Sequence, residues 1–258
     1  MNRSFSRGFV HTTQAQVTEK MKIGVLALGS GAGGTFVALA LAEELSQGEH
    51  SVSFLELTKG REGNSLVYHI LDIERRFGMN RYRPIYGEVE NDRYIRGIKN
   101  LDSNINWALM TPEENLRKLA LSDLQESRLI NNLSGDILIC DLGHEYNPTR
   151  LAEMDLIIGI LDPLPSKLIG YRGIYQKLLQ DNRPIIWLIN KDNPGVNRKF
   201  FAEYIKVKEA AKIPLIKPEY LYQAEYNCRL PYEEREVKQI LAPILKEVVD
   251  SHILITLG

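Results

Sequence analysis

The chain has 258 residues, with 32 Lys plus Arg against 33 Asp plus Glu, a formal net charge of −1, 44% hydrophobic and 25% charged residues. These proportions suit a globular chain with enough apolar material for a core, and they argue against a nucleic-acid-wrapping protein, which needs an excess of cations. No apolar run approaches the roughly 18 residues of a membrane-spanning helix. Cys140 and Cys228 are far apart, and the five histidines show no ligand spacing, so neither a disulfide framework nor a zinc pattern is present. The expectation is a cytoplasmic protein whose fold needs no metal.

Residues 1–20 carry Arg3, Arg7, several hydroxyl residues and one acid, Glu19. A transit peptide has such a composition, but the stretch reads better as a disordered extension before a single domain over 21–258. From Met21 onward short apolar runs alternate with amphipathic stretches. Lys22–Leu28, Ser51–Leu57, Ile105–Met110, Asp136–Asp141, Asp155–Leu161 and Pro184–Asn190 read as strands buried on both faces. Helical spacing covers the residues after Gly34 through Gln47, and Ser65–Phe77. A helix starts at Thr111-Pro112-Glu113-Glu114 and runs toward Leu133 with a break near Ser122. The last helix, Tyr232–Asp250, lines up Val237, Ile240, Leu241, Ile244, Leu245, Val248 and Val249 on one face, with Pro243 set to kink it. This alternation predicts an α/β fold: a doubly wound, mostly parallel sheet with helices on both faces.

The informative segment is strand, glycine turn, helix, strand over Lys22–Glu56. Its glycines let backbone N–H groups approach a phosphate at a helix N-terminus. Gly29-Ser30-Gly31-Ala32-Gly33-Gly34 satisfies the dinucleotide pattern G-x-G-x-x-G, with Glu56 placed to bond a ribose. An NAD(P)-dependent oxidoreductase is therefore one reading.

The same segment resembles the loop of the MinD/ParA family of nucleotide-dependent ATPases, K-G-G-x-G-K-T. On that register Gly33 and Thr35 match the last loop glycine and the magnesium-binding threonine. Gly34 stands where the family has its phosphate-binding lysine, and Gly29 where it has its signature lysine. Three later segments carry the resemblance further. Ser134–Gly143 resembles the Walker B strand, with Asp141 as the magnesium-side acid. Met154–Lys167 resembles the next strand and turn. Trp187–Gly195 with Ala211–Pro214 resembles the stretch that cups adenine. The resemblance implies a P-loop-type fold, binding of ATP or ADP through Gly29, Gly31, Ala32, Gly33, Gly34, Thr35, Phe36, Asn190 and Pro214, and magnesium on Thr35 and Asp141. It also implies a homodimer and protein partners in an assembly machinery. The pattern is most similar to the TadZ/CpaE branch associated with Flp/Tad pilus assembly.

The departures bear on chemistry. Without the two lysines, nucleotide binding is weak or absent and fast turnover is not expected. Thr58 replaces the acid that ends the family's second strand, while Lys59 and Arg61 are candidate replacement cations. An active ATPase with relocated catalytic residues is a further alternative. Thr35 also suits helix capping, and Asp141 suits capping the turn through Gly143. The stretch Ile73–Lys99 mixes Arg75, Arg76, Arg81, Arg83, Arg93 and Arg96 with Tyr82, Tyr86 and Tyr94. It reads as a solvated loop or a partner surface.

Overall fold

The computed structural model describes residues 20–57, 67–78, 81–93, 95, 98–101, 104–117, 119, 121–207 and 209–253. Seven strands form one sheet: β1 (Met21–Leu28), β2 (Val52–Glu56), β3 (Ile105–Ala108), β4 (Ile137–Asp141), β5 (Leu156–Leu161), β6 (Ile185–Asp192) and β7 (Ala211–Pro214). Their order is β3-β2-β4-β1-β5-β6-β7, and every neighbouring pair is parallel. The expected strands are all present, shortened or extended by a residue or two. β7 was not expected as a strand.

The helices are α1 (Gly34–Leu45), α2 (Val67–Ile70), α3 (Ile73–Phe77), α4 (Ile85–Glu90), α5 (Pro112–Leu116), α6 (Asp123–Asn132), α7 (Pro148–Ala152), α8 (Pro165–Gly170), α9 (Arg172–Leu179), α10 (Arg198–Tyr204), α11 (Pro218–Tyr226) and α12 (Arg235–Val248). None among the described residues is long and apolar enough to cross a membrane.

Side chains alternate across the strands, so each strand feeds two apolar layers. Ile23, Val25 and Ala27 join Val37 and Leu41 of α1 and Val237, Leu241 and Leu245 of α12 in one layer. Leu26 and Leu28 join Ile85 of α4, Leu129 and Ile130 of α6, and Leu178 of α9 in the other. Burying both faces excludes solvent from the central strands and leaves the two ends of the sheet as the places where loops meet water.

Local chemistry explains the helix boundaries. Thr111 caps α5, accepting from Glu114 N while the Glu114 carboxylate accepts from Thr111 N; Ser122 and Gln125 do the same at α6. The expected break near Ser122 is thus a second capping box. Where a helix is expected over Ser65–Phe77, the described residues from Val67 onward form two short helices, because Asp72 between them takes a left-handed φ of 43°. α12 continues through Pro243 without interruption.

Candidate functional site

In an open parallel sheet, loops at the carboxyl ends of the strands share one edge. There the chain leaves β1 through Gly29–Gly33 and enters α1. Gly33 is the residue before the helix, with φ 93° and no side-chain cap. The first-turn N–H groups of α1 have no carbonyl within their own helix to bond, which suits an anion. A Cβ at Gly33 would lie 2.2 Å from Asn190 Nδ2, so glycine is required by conformation and by space. Asn190 Nδ2 donates to the Ala32 carbonyl at 2.8 Å, which fastens the loop to the end of β6. Gly34 is buried, and a Cβ there would come within 2.9 Å of Ala27 Cβ, so α1 starts pressed against β1.

The Thr35 hydroxyl donates to Asp141 Oδ2 at 2.6 Å, and Asp141 Oδ1 accepts from Gly143 N at 3.0 Å. Asp141 therefore caps its own turn and also holds the threonine, whereas the cap position of α1 belongs to Gly33. Burial pushes the Asp141 carboxyl up from its usual range, opposed by the Thr35 hydroxyl and the Gly143 N–H. Glu56, at the end of β2, is in register with Asp141 and just as buried. Its two oxygens accept from Val67 N and Met110 N, each at 3.1 Å. Burial pushes its pKa up to about 8, with the Asp141 charge adding to the shift and the two N–H donors opposing it.

These facts bear on the dinucleotide pattern. A dinucleotide-binding unit places its second strand beside the first, bringing the acid close to the glycine turn. Here β4 lies between β1 and β2, and both Glu56 oxygens are occupied by backbone donors. Glu56 is therefore not placed to bond a ribose.

No family model and no curated protein matches the sequence. Solved structures do match. MinD of Pyrococcus horikoshii OT3 complexed with Mg-ADP superposes with a TM-score of 0.68 at 14% identity, covering 93% of this chain and 99% of that one. A plasmid partition protein of Borrelia burgdorferi B31 bound to AMPPNP gives a TM-score of 0.67 at 17% identity, with 90% and 99% covered. A ParA family ATPase of Chlorobium tepidum TLS gives 0.64 at 15% identity, with 89% and 98% covered. The chain has the MinD/ParA fold.

On the MinD/ParA fold the other expected residues are unevenly placed. Phe36 is partly buried and packs against the layer holding α1. Pro214 is exposed at the end of β7, in register with Asp192. Thr58, Lys59 and Arg61 fall outside the described residues. Two residues of the Arg/Tyr stretch need correction as surface groups: Tyr82 and Tyr86 are buried, with the Tyr82 hydroxyl donating to the Leu109 carbonyl at 2.8 Å and that of Tyr86 to the Glu56 carbonyl, while Tyr94 and Arg96 fall outside the described residues. Arg83 and Arg93 both pair with Glu88, at 3.0 and 3.2 Å.

Sequence reasoning missed four residues around the loop. Lys167 Nζ, on α8, donates to the Ser30 carbonyl at 2.7 Å. Lys191 Nζ donates to the Gly31 carbonyl and pairs with Asp162 Oδ2 at 3.0 Å. The Tyr171 hydroxyl accepts from Ser30 N at 3.3 Å. The signal was there in part, since Asp162 follows β5 directly and Lys191 lies near the end of β6, the neighbouring strand.

Proposed function

We propose that this protein binds an adenine nucleotide with magnesium on the Gly29–Thr35 loop and works as a cytoplasmic, homodimeric scaffold rather than as an efficient ATPase. The observation that carries the reading is the Thr35–Asp141 pair at 2.6 Å, set directly behind a glycine loop that opens onto a helix N-terminus. A hydroxyl and a carboxylate supply the oxygen ligands that magnesium takes, so this pair fits the ion. Relatives of the same fold that are bound to AMPPNP or complexed with Mg-ADP support it further. Asn190, near the end of β6, and Pro214, at the end of β7, are the residues the resemblance assigns to the adenine.

The case against fast turnover rests on the positions where the family carries lysines. Gly34 and Gly29 bring no charge to the loop, and Thr58 is a poor substitute for a carboxylate. A protein that holds nucleotide without cycling quickly suits a structural role in an assembly machinery, and the resemblance to the TadZ/CpaE branch favours that of a surface structure such as a Flp/Tad pilus. A thermal-shift comparison with Mg-ATP, Mg-ADP, NADH and NADPH tests the binding. A ligand at 100 times its dissociation constant adds about 2.7 kcal/mol of stability. Mg-ATP and Mg-ADP are expected to raise the melting temperature, with Asp141→Asn reducing the magnesium-dependent part. Stabilisation by NADH without any by adenosine phosphates would overturn the reading.

A further inference from the structure

We propose that Lys167 and Lys191 are the phosphate-binding cations of the glycine loop, delivered from α8 and from the end of β6 instead of from within the loop. The inference rests on the proposed nucleotide binding and names the groups that would hold the phosphates. The segment Gly29–Thr35 contains no cation of its own. Two ammonium groups nevertheless converge on it, bonding the consecutive carbonyls of Ser30 and Gly31.

The placement of Lys191 is built into β6. Consecutive side chains of a regular strand point to opposite faces. Between Ile189 and Asp192 the pairing with β7 shifts register, and Lys191 takes a left-handed φ of 60°. Such an irregularity re-aims side chains. Here Asn190 and Lys191, adjacent in sequence, both reach the loop, at the Ala32 and Gly31 carbonyls. Asp162 ties the second lysine to the first: Oδ2 holds Lys191, while Oδ1 accepts from Leu164 N at 3.1 Å and fixes the turn into α8, which carries Lys167. Asp162 is thus a positioning residue.

The charge of Lys167 is not consumed by its contact, whereas Lys191 shares its charge with the buried Asp162 carboxylate. An ammonium has three donors. Lys167 uses one on a carbonyl and makes no ion pair among the described residues, and Lys191 has one carboxylate partner. Ser30 and Gly31 are exposed, so water would serve their carbonyls equally well, and bonds there add little to the fold. The loop that both lysines bond leads directly into α1, whose first-turn N–H groups suit an anion. The ligand class that fits is a nucleoside di- or triphosphate.

Calorimetric titration of ATP and ADP in magnesium buffer tests this on the full chain. The variants are Lys167→Met, Lys167→Arg, Lys191→Met combined with Asp162→Asn, which leaves no buried carboxylate unpaired, and these last two combined with Lys167→Met. Removing either cation is expected to weaken both nucleotides about tenfold, and removing both about a hundredfold. The salt dependence of ATP affinity should fall in Lys167→Met, Lys167→Arg should keep most of the affinity, and the melting temperature of ligand-free Lys167→Met should match the parent. If the parent binds ATP and the variants bind it as tightly, the cation assignment is overturned while the proposed function stands. If the parent binds neither nucleotide at millimolar concentration, the proposed function falls and this assignment with it.

Discussion

Glu56 and Asp141 face each other across β2 and β4, two carboxyl groups in register with 1% and 0% of their surface exposed. Burial raises both, Glu56 to about 8. The sign of the pH effect follows from linkage. Below the unfolded value of 4.5 Glu56 is protonated in both states. Between there and about 8 the unfolded chain releases a proton that the folded chain keeps, so stability falls as pH rises through this window. Denaturant midpoints measured from pH 5 to 8.5 should decline, and Glu56→Gln should flatten the decline. A slope unchanged in the variant would contradict the assignment to Glu56.

Hydrolysis should be slow. The parent is expected to release phosphate far below the rate of an ordinary MinD or ParA protein. Putting a lysine back at the loop's end with Gly34→Lys should not repair it, because its Cβ meets Ala27 Cβ at 2.9 Å. Overpacking of this kind typically costs about 1–3 kcal/mol. A phosphate-release assay beside a melting curve decides the point. A brisk parental rate abolished by Asp141→Ala would defeat the scaffold reading.

Association should be indifferent to nucleotide. The family resemblance implies pairing across the bound nucleotide, with a lysine at the Gly29 position sensing the γ-phosphate. Lys167 and Lys191 are tied to their own subunit's loop and do not replace that reach across. A ligand with equal affinity for both association states shifts neither. Light scattering is therefore expected to give a dimer with and without Mg-ATP. A monomer that dimerises with ATP alone would show that a switch survives.

Arg150 should matter more to stability than the exposed ion pairs of the surface. Its guanidinium bonds both Glu126 oxygens, at 2.6 and 2.7 Å, and reaches the Leu57 carbonyl at 3.2 Å. Both side chains are nearly buried, at 13% and 10% exposure. Breaking one side of such a pair typically costs about 3–5 kcal/mol, because the other charge is left without a partner. Arg150→Ala should lower stability by that order in urea titrations. Arg128→Ala, whose pair with Asp92 is about half exposed or more on both sides, should cost less than about 1 kcal/mol.

The sequence made the glycine turn, Asp141 and Asn190 legible because each sits at or beside a strand end, and strand ends follow from apolar runs; Thr35 was legible because it opens the helix after that turn. It did not reveal β7, since Ala-Lys-Ile-Pro buries Ile213 alone and has no alternation to read. Nor did it reveal Lys191 as a loop contact, because that depends on a register shift set by pairing with this same short strand. Tyr82 and Tyr86 look like surface residues from the arginines around them. A tyrosine is buried readily once its hydroxyl finds a backbone partner, and both do.

The order of the sheet also governs when the molecule can form. β1 borders β4 and β5, with Met21 against Ile137 and Ile23 against Leu156, while β2 borders β3 and β4. As the chain emerges from the ribosome, β2 can find β3, but β1 has no bordering strand until β4 has been made. Its apolar run waits unpaired through that interval, a natural target for chaperones and for aggregation. The glycine loop, built on the end of β1, thus takes shape long after its own residues have been synthesised.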